Sequence, residues 1–166
     1  MPYTIAVLCY LFDRRGRVLL LHRKKTPNQD LYSPVGGKLD QHLGESPAAC
    51  AIREIQEETE LAVTHADLHL TGMVSEYGYD GTGHWLMFLY EVTRPVQVQR
   101  TDFAEGRLEW HPPDSIRDLP IPQTDRLVIW PMFWRFRGRF FAAHIHCDGD
   151  QIAWQLEHPA VDHIND

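Results

Sequence analysis

The stretch GGKLDQHLGESPAACAIREIQEETEL at Gly36–Leu61 joins a glycine pair to a segment that is rich in carboxylates. Ser46 is a favourable helix N-cap, and Pro47 fits the first helical position because the N–H that it lacks has no partner there. At about 100° per residue, the apolar side chains fall in a narrow stripe. That stripe consists of Ala48, Ile52, Ile55 and Thr59. The stretch therefore predicts an amphipathic helix with one buried face.

Three glutamates of this helix, Glu54, Glu57 and Glu58, fall on the opposite side of the wheel. Like charges at this spacing destabilise a helix, and two carboxylates about 4 Å apart repel by roughly 4 kcal/mol at an effective dielectric of 20. A hard divalent cation removes that cost, since Mg²⁺ binds a few carboxylates and leaves positions for water and phosphates. For the helix taken by itself, a solvated acidic face is the alternative interpretation.

The spacing of the whole stretch favours the metal interpretation, because it resembles the signature of the Nudix hydrolases. In that family a glycine leads to a glutamate, then to Arg-Glu, an aliphatic residue and Glu-Glu. The matching positions here are Gly37, Glu45, Arg53, Glu54, Ile55, Glu57, Glu58 and Leu61. The Gly-Gly-Lys sequence at Gly36–Lys38 is similar to the MutT-like branch, which acts on nucleoside triphosphates.

Two positions depart from the signature. The interval from Gly37 to Glu45 is two residues longer than usual, so the Asp40–Gly44 loop carries an insertion. Glu60 stands where a glycine is usual, and a helix end with positive φ costs a non-glycine residue roughly 1–2 kcal/mol. Neither change removes a carboxylate, so we expect altered loop geometry with the same chemistry.

The resemblance implies an α/β/α sandwich with a mixed β-sheet, whereas the residue pattern alone supports only a mixed α/β class. It also implies roles for individual residues. The expected metal ligands are the Gly36 carbonyl and the side chains of Glu54, Glu57, Glu58 and Glu105. Arg53 is expected to pair with Glu45, and the general base to be Glu54, with Glu58 and Glu105 as alternatives. The expected substrate contacts are Arg23, Ser33, Gly37, Lys38 and Gln123.

Glu105 enters this set through a second resemblance. It lies five residues before Trp110, which is part of a predicted strand at Leu108–His111. Triphosphate-cleaving Nudix enzymes have a loop glutamate at that distance from a strand tryptophan, and there the glutamate reaches the metal cluster. The same enzymes, when specific for oxidised guanine, carry a tryptophan and paired aspartates where this chain has Ile121, Gln123 and Thr124.

The remaining sequence predicts mostly strands. Thr4–Phe12 and Arg17–His22 indicate a strand pair around a glycine turn, and His69–Ser75 and His84–Thr93 indicate strands joined by the Gly78–Gly83 loop. Thr124 or Asp125 is expected to cap a second helix that is kinked or broken at Pro131. The tail predicts a hairpin of Arg139–Cys147 and Gln151–Glu157. Tyr77, Tyr79 and Trp85 are interpreted as sheet packing, with purine stacking by one of them as the alternative.

Bulk composition limits the other function classes. The 166 residues fit one domain spanning 1–166, and the net charge of −7 argues against nonspecific nucleic-acid or membrane binding. Cys9, Cys50 and Cys147 lack metal spacing and are typical of buried thiols in a reducing compartment, so we expect a cytoplasmic protein. Monomer and homodimer both remain open.

The activity that the resemblance implies is Mg²⁺-dependent hydrolysis, with Mn²⁺ as an alternative metal. The expected substrate is a nucleoside triphosphate, normal or oxidised as in 8-oxo-dGTP, which yields the monophosphate and pyrophosphate. ADP-ribose and dinucleotide polyphosphates are the rival substrates. A noncatalytic nucleotide-binding module is the rival class, although regulators of that kind usually add a DNA-binding domain and often lose the box carboxylates.

Overall fold

A computed structural model describes residues 2–79, 81 and 83–160 as a large mixed sheet with helices on its two faces. The strands are β1 Tyr3–Tyr10, β2 Val18–Arg23, β3 Tyr32–Lys38, β4 Leu68–Tyr79, β5 Gly83–Val92, β6 Asp102–Phe103, β7 Gly106–His111, β8 Phe141–Asp148 and β9 Gln151–His158. The helices are α1 Pro47–Thr59, 3₁₀ turns at His65–Asp67 and Pro113–Asp118, a π-helical turn at Asp125–Ile129 and α2 Trp130–Arg135. Asp80 and Thr82 of the predicted Gly78–Gly83 loop, and residues 161–166, lie outside the described residues.

The nine strands of the described residues are ordered β6-β7-β2-β3-β1-β5-β4-β8-β9, and the sheet is mixed because β1 runs parallel to β5 and β4 parallel to β8. The strand β3 joins the two parts of this sheet. Its first half pairs with β2, through Ser33 opposite Leu21, and its second half pairs with β1, through Gly37 opposite Val7. The segment that leads into α1 therefore sits at the centre of the sheet.

The predicted pairing of the first two strands is wrong, although both strands form where expected. β3 lies between them, and the turn at Asp13–Gly16 closes only a single bridge, Phe12 to Val18. Both strands are long apolar runs that are largely buried, so neither has a polar face that marks an edge. Proximity in sequence was the basis of the prediction, and it does not distinguish direct neighbours from strands that a third strand separates.

Hydrophobic cores lie on both faces of the sheet, which confirms the predicted sandwich. One core packs α1 on the sheet through Cys50, Ala51 and Ile55, which contact a cluster with Val7 and Val35. The other core packs α2 on the opposite face through Phe133, whose ring stacks on Tyr10 at 4.1 Å between centroids. No helix in the described part of the chain is long and apolar enough to cross a membrane.

The ends of α1 follow the sequence closely. The Ser46 hydroxyl accepts the Ala49 N–H at 3.1 Å, and Pro47 occupies the first turn. At the other end Glu60 adopts the left-handed conformation, with φ of 64° and its N–H bonded to the Gln56 carbonyl. The helix therefore keeps the positive-φ ending that a glycine usually supplies, and the strain of placing a glutamate there is tolerated.

The second helix starts earlier than predicted, so its expected caps are wrong. Residues 123–135 are helical, Thr124 already has helical dihedral angles, and its side chain caps nothing. Thr124 and Asp125 are buried instead of lying at an exposed helix end. The predicted break at Pro131 is absent, because the chain stays helical through this residue. The π-helical turn at Asp125–Ile129 precedes it instead, a local widening that accommodates disrupted helical hydrogen bonds.

Candidate active site

A cavity of about 520 Å³ opens between the edge of α1, the middle of the sheet, the β6–β7 turn and the start of the second helix. Its two ends differ in chemistry. The carboxylate end contains Glu54, Glu57, Glu58 and Glu105, together with Arg23. The rest of the lining, called the base end, is mostly apolar and contains Ala6, Leu8, Ser33, Glu76, Trp85, Met87, Pro122, Thr124 and Asp125.

Arg53 organises the carboxylate end from within α1. Its guanidinium binds Glu45 in a bidentate manner, with Nε 2.7 Å from Oε1 and one Nη 2.9 Å from Oε2. The other Nη donates to Glu54 at 2.8 Å and to Glu57 at 3.3 Å. These contacts hold the pKa of Glu45 down at about 2. The expected Arg53–Glu45 pair is therefore present, and a planar guanidinium fixes three carboxylates relative to one another.

The two glycines of β3 are required for space, not for unusual dihedral angles. A Cβ on Gly37 would lie 2.3 Å from Oε1 of Glu54, so the absence of a side chain lets that carboxylate approach the strand. A Cβ on Gly36 would lie 2.1 Å from the Val7 carbonyl oxygen of the neighbouring strand. Gly37 thus serves the site directly, whereas Gly36 serves the pairing of β3 with β1.

Glu58 is the most buried acid of the carboxylate end, with 5% exposure, and its Oε2 atom has no hydrogen-bond partner within the described residues. Burial, with a further contribution from the charge of Glu54, raises its pKa to about 8. Burial also raises the pKa of Glu54, although Arg53 opposes that rise. The helix wheel placed all three acids opposite the buried face, and for Glu58 that prediction is wrong because this side of α1 packs toward β3.

These groups suit a divalent metal. Carboxylate oxygens are the donors that Mg²⁺ takes, and a buried carboxylate oxygen without a partner has its desolvation cost removed by a cation. Within the described ranges, no three acidic, histidine or cysteine side chains already converge as a metal site. The reason is that the carboxylates of Glu54 and Glu57 point toward the Arg53 guanidinium. The Glu57 side chain is exposed, so it has room to rotate toward a metal.

Glu105 joins this end from the β6–β7 turn, which lies far from α1 in sequence. The turn is held against β2 by a backbone bond from Lys24 N–H to the Glu105 carbonyl at 2.9 Å. The Glu105 carboxylate lies 3.7 Å from the Lys25 ammonium, and its charge acts on Glu58. The long-range contact that the resemblance implied is thus compatible with the fold, which brings this loop carboxylate to the same cavity.

The predicted substrate contacts are divided by the fold. Arg23, Ser33, Gly37 and Lys38 line the cavity, and the Ser33 hydroxyl is buried without a partner among the described residues. Gln123 is exposed and outside the lining, so its placement in the site was wrong. The helix begins at this residue and turns Gln123 to solvent, whereas the following Thr124 and Asp125 are buried and line the cavity.

The aromatic residues of the β4–β5 region also separate. Trp85 lines the base end, with the Lys38 ammonium 5.6 Å from its ring centroid. Tyr79 closes the side of the cavity and donates from its hydroxyl to Asn28 Oδ1 at 2.6 Å. Tyr77 lies elsewhere, between the rings of His84 and His146 on the sheet surface.

Two residues of the base end, Glu76 and Asp125, were missed by sequence reasoning. Both are buried, and burial raises the pKa of Glu76 to about 7 and that of Asp125 to about 8. The sequence could have indicated Glu76 by its position, because it lies two residues after Val74 and alternate residues of β4 share the buried face. The strand had been predicted to end at Ser75, so this acid fell outside it.

The comparisons with known proteins agree with this site. The chain matches the family model of the NUDIX domain over residues 2–129. It is 28% identical over 132 residues to the uncharacterized Nudix hydrolase YvcI of Bacillus subtilis (strain 168), an alignment that covers 78% of this chain and 79% of that protein. The structure is similar to a MutT protein from Bacillus halodurans, with a TM-score of 0.72, 25% identity and coverage of 93% of this chain and 97% of the other.

A further structural neighbour shares the fold alone. The NUDIX domain of Shewanella oneidensis NrtR, in complex with ADP ribose, has a TM-score of 0.68 at 20% identity and covers 81% of this chain and 88% of that one. The fold and the carboxylate-rich helix are those of a Nudix enzyme. The chain belongs to the Nudix family and is a Nudix hydrolase.

Proposed function

We propose that this Nudix hydrolase cleaves a nucleoside triphosphate to the monophosphate and pyrophosphate. The observation that carries the proposal is the division of one cavity into a carboxylate end and a mostly apolar base end that includes Trp85. A nucleotide has the same division, since its phosphates need a metal and its base needs apolar or aromatic surface. The similarity to a MutT protein over nearly the whole chain supports the same substrate class.

The carboxylate end is where we propose that Mg²⁺ binds, through Glu54, Glu57, Glu58, Glu105 and the Gly36 carbonyl. When bound, the metal neutralises phosphate charge and lowers the pKa of a bound water. Arg53 holds Glu45 and Glu54 in place through the bidentate and single contacts described above. Glu54 is the favoured general base, with Glu58 and Glu105 as the alternatives.

The cations beside the cavity complement the substrate. The protein carries a net charge of −7, so an anionic substrate depends on local positive groups. Arg23 and Lys38 lie in the lining of the cavity, where we propose that they contact the phosphate chain. Ser33 offers its unpartnered hydroxyl to the base end.

The test is a panel of nucleoside triphosphates, 8-oxo-dGTP, ADP-ribose and diadenosine polyphosphates, assayed for phosphate-chain cleavage with Mg²⁺ and with Mn²⁺. Cleavage of triphosphates with release of pyrophosphate is the expected result. Glu57→Gln and Glu58→Gln are each expected to lower turnover at least about a hundredfold, which corresponds to about 2.7 kcal/mol of transition-state stabilisation. Glu157→Gln, an exposed glutamate on β9, is the matched control and should retain the activity of the wild type.

The results that contradict the proposal are distinct. Pyrophosphate release at the wild-type rate by both the Glu57→Gln and the Glu58→Gln variants would show that the assigned metal site is wrong. Preferential cleavage of ADP-ribose or a dinucleotide would show that this compound, and not a nucleoside triphosphate, is the substrate. A flat response across the panel, combined with tight binding of one nucleotide, would favour the binding-module class.

A further inference from the structure

Glu76 and Asp125 form a pair of buried acids in the base end, here called the acid pair. Glu76 comes from the middle of β4 and Asp125 from the π-helical turn, so two separate elements bring their carboxyls to the same cavity. They are only 4% and 8% exposed, respectively. The Thr124 side chain, next to Asp125 in the chain, hydrogen-bonds to Glu76, so the two acids lie in the same region of the cavity.

The acid pair has little of the compensation that buried acids usually have: the Thr124 side chain hydrogen-bonds to Glu76, and no charged group among the described residues pairs with either acid. Neither residue forms an ion pair with any lysine, arginine or histidine of the described chain, and Glu76 Oε1 has no hydrogen-bond partner there. By contrast, the buried Glu91 of the neighbouring strand is paired with Arg137 at 2.8 Å. Unpaired buried carboxyls destabilise a fold. Their position in the lining of a cavity indicates that the partner is a ligand group.

The surroundings of the acid pair limit what that ligand group is. Ala6, Leu8 and Met87 supply apolar surface around it, which suits a flat ring. Carboxyl oxygens accept hydrogen bonds, so they attract N–H donors and repel the lone pairs of an oxo group. Burial raises the pKa of both acids, and a carboxyl that keeps its proton still has a carbonyl oxygen that accepts an N–H.

We propose that the acid pair determines base specificity by accepting hydrogen bonds from the exocyclic amino group of the nucleobase. The enzyme then prefers amino-bearing bases to the oxo bases that deamination makes from them. This inference rests on the proposed function, because it assigns the base end to the base of a nucleotide. A site with buried acceptors discriminates strongly against an analogue that lacks the matching donor, since the acceptors are then left unpaired.

The experiment compares three pairs of triphosphates that differ only by an amino group and an oxo group: ATP with ITP, GTP with XTP, and CTP with UTP. For the pair that the enzyme hydrolyses fastest, kcat/KM for the amino member should exceed that for the oxo member at least about tenfold. The difference should lie mainly in KM, because the acid pair is at the end of the cavity away from the carboxylates that act on the phosphates.

Two variants assign the preference to the acid pair. Glu76→Gln and Asp125→Asn replace an acceptor oxygen with an amide that donates, so each should raise KM for the amino base and lower it for the oxo base. The amino-to-oxo ratio should fall at least about fivefold in each variant. Glu91→Gln is the matched control, since it also removes a buried acid of the sheet but lies outside the cavity lining. Its ratio should match that of the wild type.

Each outcome decides one of the two proposals. Equal kcat/KM for the amino and oxo members in the wild type overturns the inference, and so does an unchanged ratio in both cavity variants. Failure to hydrolyse any of the six triphosphates overturns the proposed function instead. In that event, calorimetric titration of the wild type with the same pairs still tests the acid pair, because tighter binding of the amino members is expected and equal binding contradicts it. Thermal unfolding of each variant shows whether it is folded.

Discussion

Adding one methyl group at Gly37 should separate the chemistry of the site from the stability of the fold. In Gly37→Ala the new Cβ would lie 2.3 Å from Glu54 Oε1, and ordinary contact begins at 3.4 Å, so the carboxylate must move by about 1.1 Å (3.4 − 2.3). A misplacement of about 1 Å can cost about a hundredfold in rate, or about 2.7 kcal/mol of transition-state stabilisation. We therefore expect turnover to fall about a hundredfold.

The fold should tolerate the same change. The atoms that meet the new Cβ belong to the end of the flexible Glu54 side chain, which can rotate away from the strand. The variant loses the Arg53–Glu54 contact at 2.8 Å, worth about 1 kcal/mol, and gains about 0.5–1 kcal/mol from replacing a strand glycine with alanine. The melting temperature should therefore stay within about 4 °C of the wild type.

Gly36→Ala is the matched comparison because the neighbouring residue meets backbone instead of a side chain. Its Cβ would lie 2.1 Å from the Val7 carbonyl oxygen, so β1 and β3 must separate at the centre of the sheet. Overpacking of this kind costs about 1–3 kcal/mol or more, which lowers the melting temperature by about 3–12 °C.

The assays are thermal unfolding followed by circular dichroism and release of pyrophosphate in the presence of Mg²⁺. The expected pattern is a folded but inactive Gly37→Ala protein and a destabilised Gly36→Ala protein. Wild-type turnover by Gly37→Ala would show that the position of the Glu54 carboxylate does not matter for the reaction. A Gly36→Ala protein as stable as the wild type would refute the assignment of that glycine to strand pairing.

Three further predictions concern stability. Arg100 donates to the Glu57 carbonyl at 2.8 Å and to the Glu60 carboxylate, so Arg100→Ala should lower the free energy of unfolding by about 1 kcal/mol. Glu60→Gly should raise the free energy of unfolding by up to about 1 kcal/mol, because it removes positive-φ strain. Urea unfolding measures both changes, and a stabilised Arg100→Ala variant would contradict the first prediction. The raised pKa values of Glu76, about 7, and Asp125, about 8, mean that protonation stabilises the folded state. The contribution of the two protonated acids to the free energy of unfolding is complete below about pH 4, near their pKa values in the unfolded chain, and is lost as the pH rises through 7–8. For Glu76 the loss amounts to about 3 kcal/mol. Glu76→Gln should therefore flatten the fall in unfolding free energy between pH 5.5 and 8.5, and an unchanged slope would show that Glu76 is not protonated in the folded protein.

The acidic helix was predictable because its chemistry is local in sequence. Glu54, Glu57 and Glu58 follow a fixed helical spacing, and Ser46 and Pro47 mark where the helix begins, so hydrogen bonding within a few residues determines their relative positions. The Arg53–Glu45 pair was accessible in the same way, through a resemblance in spacing. What the helix wheel could not show was the burial of Glu58, since that depends on the close packing of α1 against β3.

The base end was not predictable to the same degree, because its residues come from strands and a helix that are distant in sequence. Gln123, Thr124 and Asp125 are consecutive, and only the starting point of the helix decides which of them face the cavity. Glu76 became a buried acid because β4 continues past Ser75 and presents alternate residues to the same face. In the sheet β3 lies between β1 and β2. The apolar patterns of these strands do not distinguish this order from direct pairing of β1 with β2.

The stretch Gly36–Leu61 alone thus determined the carboxylates, their helix and the class of chemistry, since backbone hydrogen bonds and side-chain spacing act over a few residues. Tertiary structure decided which acids are buried, which loop brings Glu105 to the cavity, and that Glu76 and Asp125 line the same cavity. These outcomes depend on packing between elements separated by many residues. Packing free energy is summed over the whole sheet and its two cores, and no short stretch of sequence contains it.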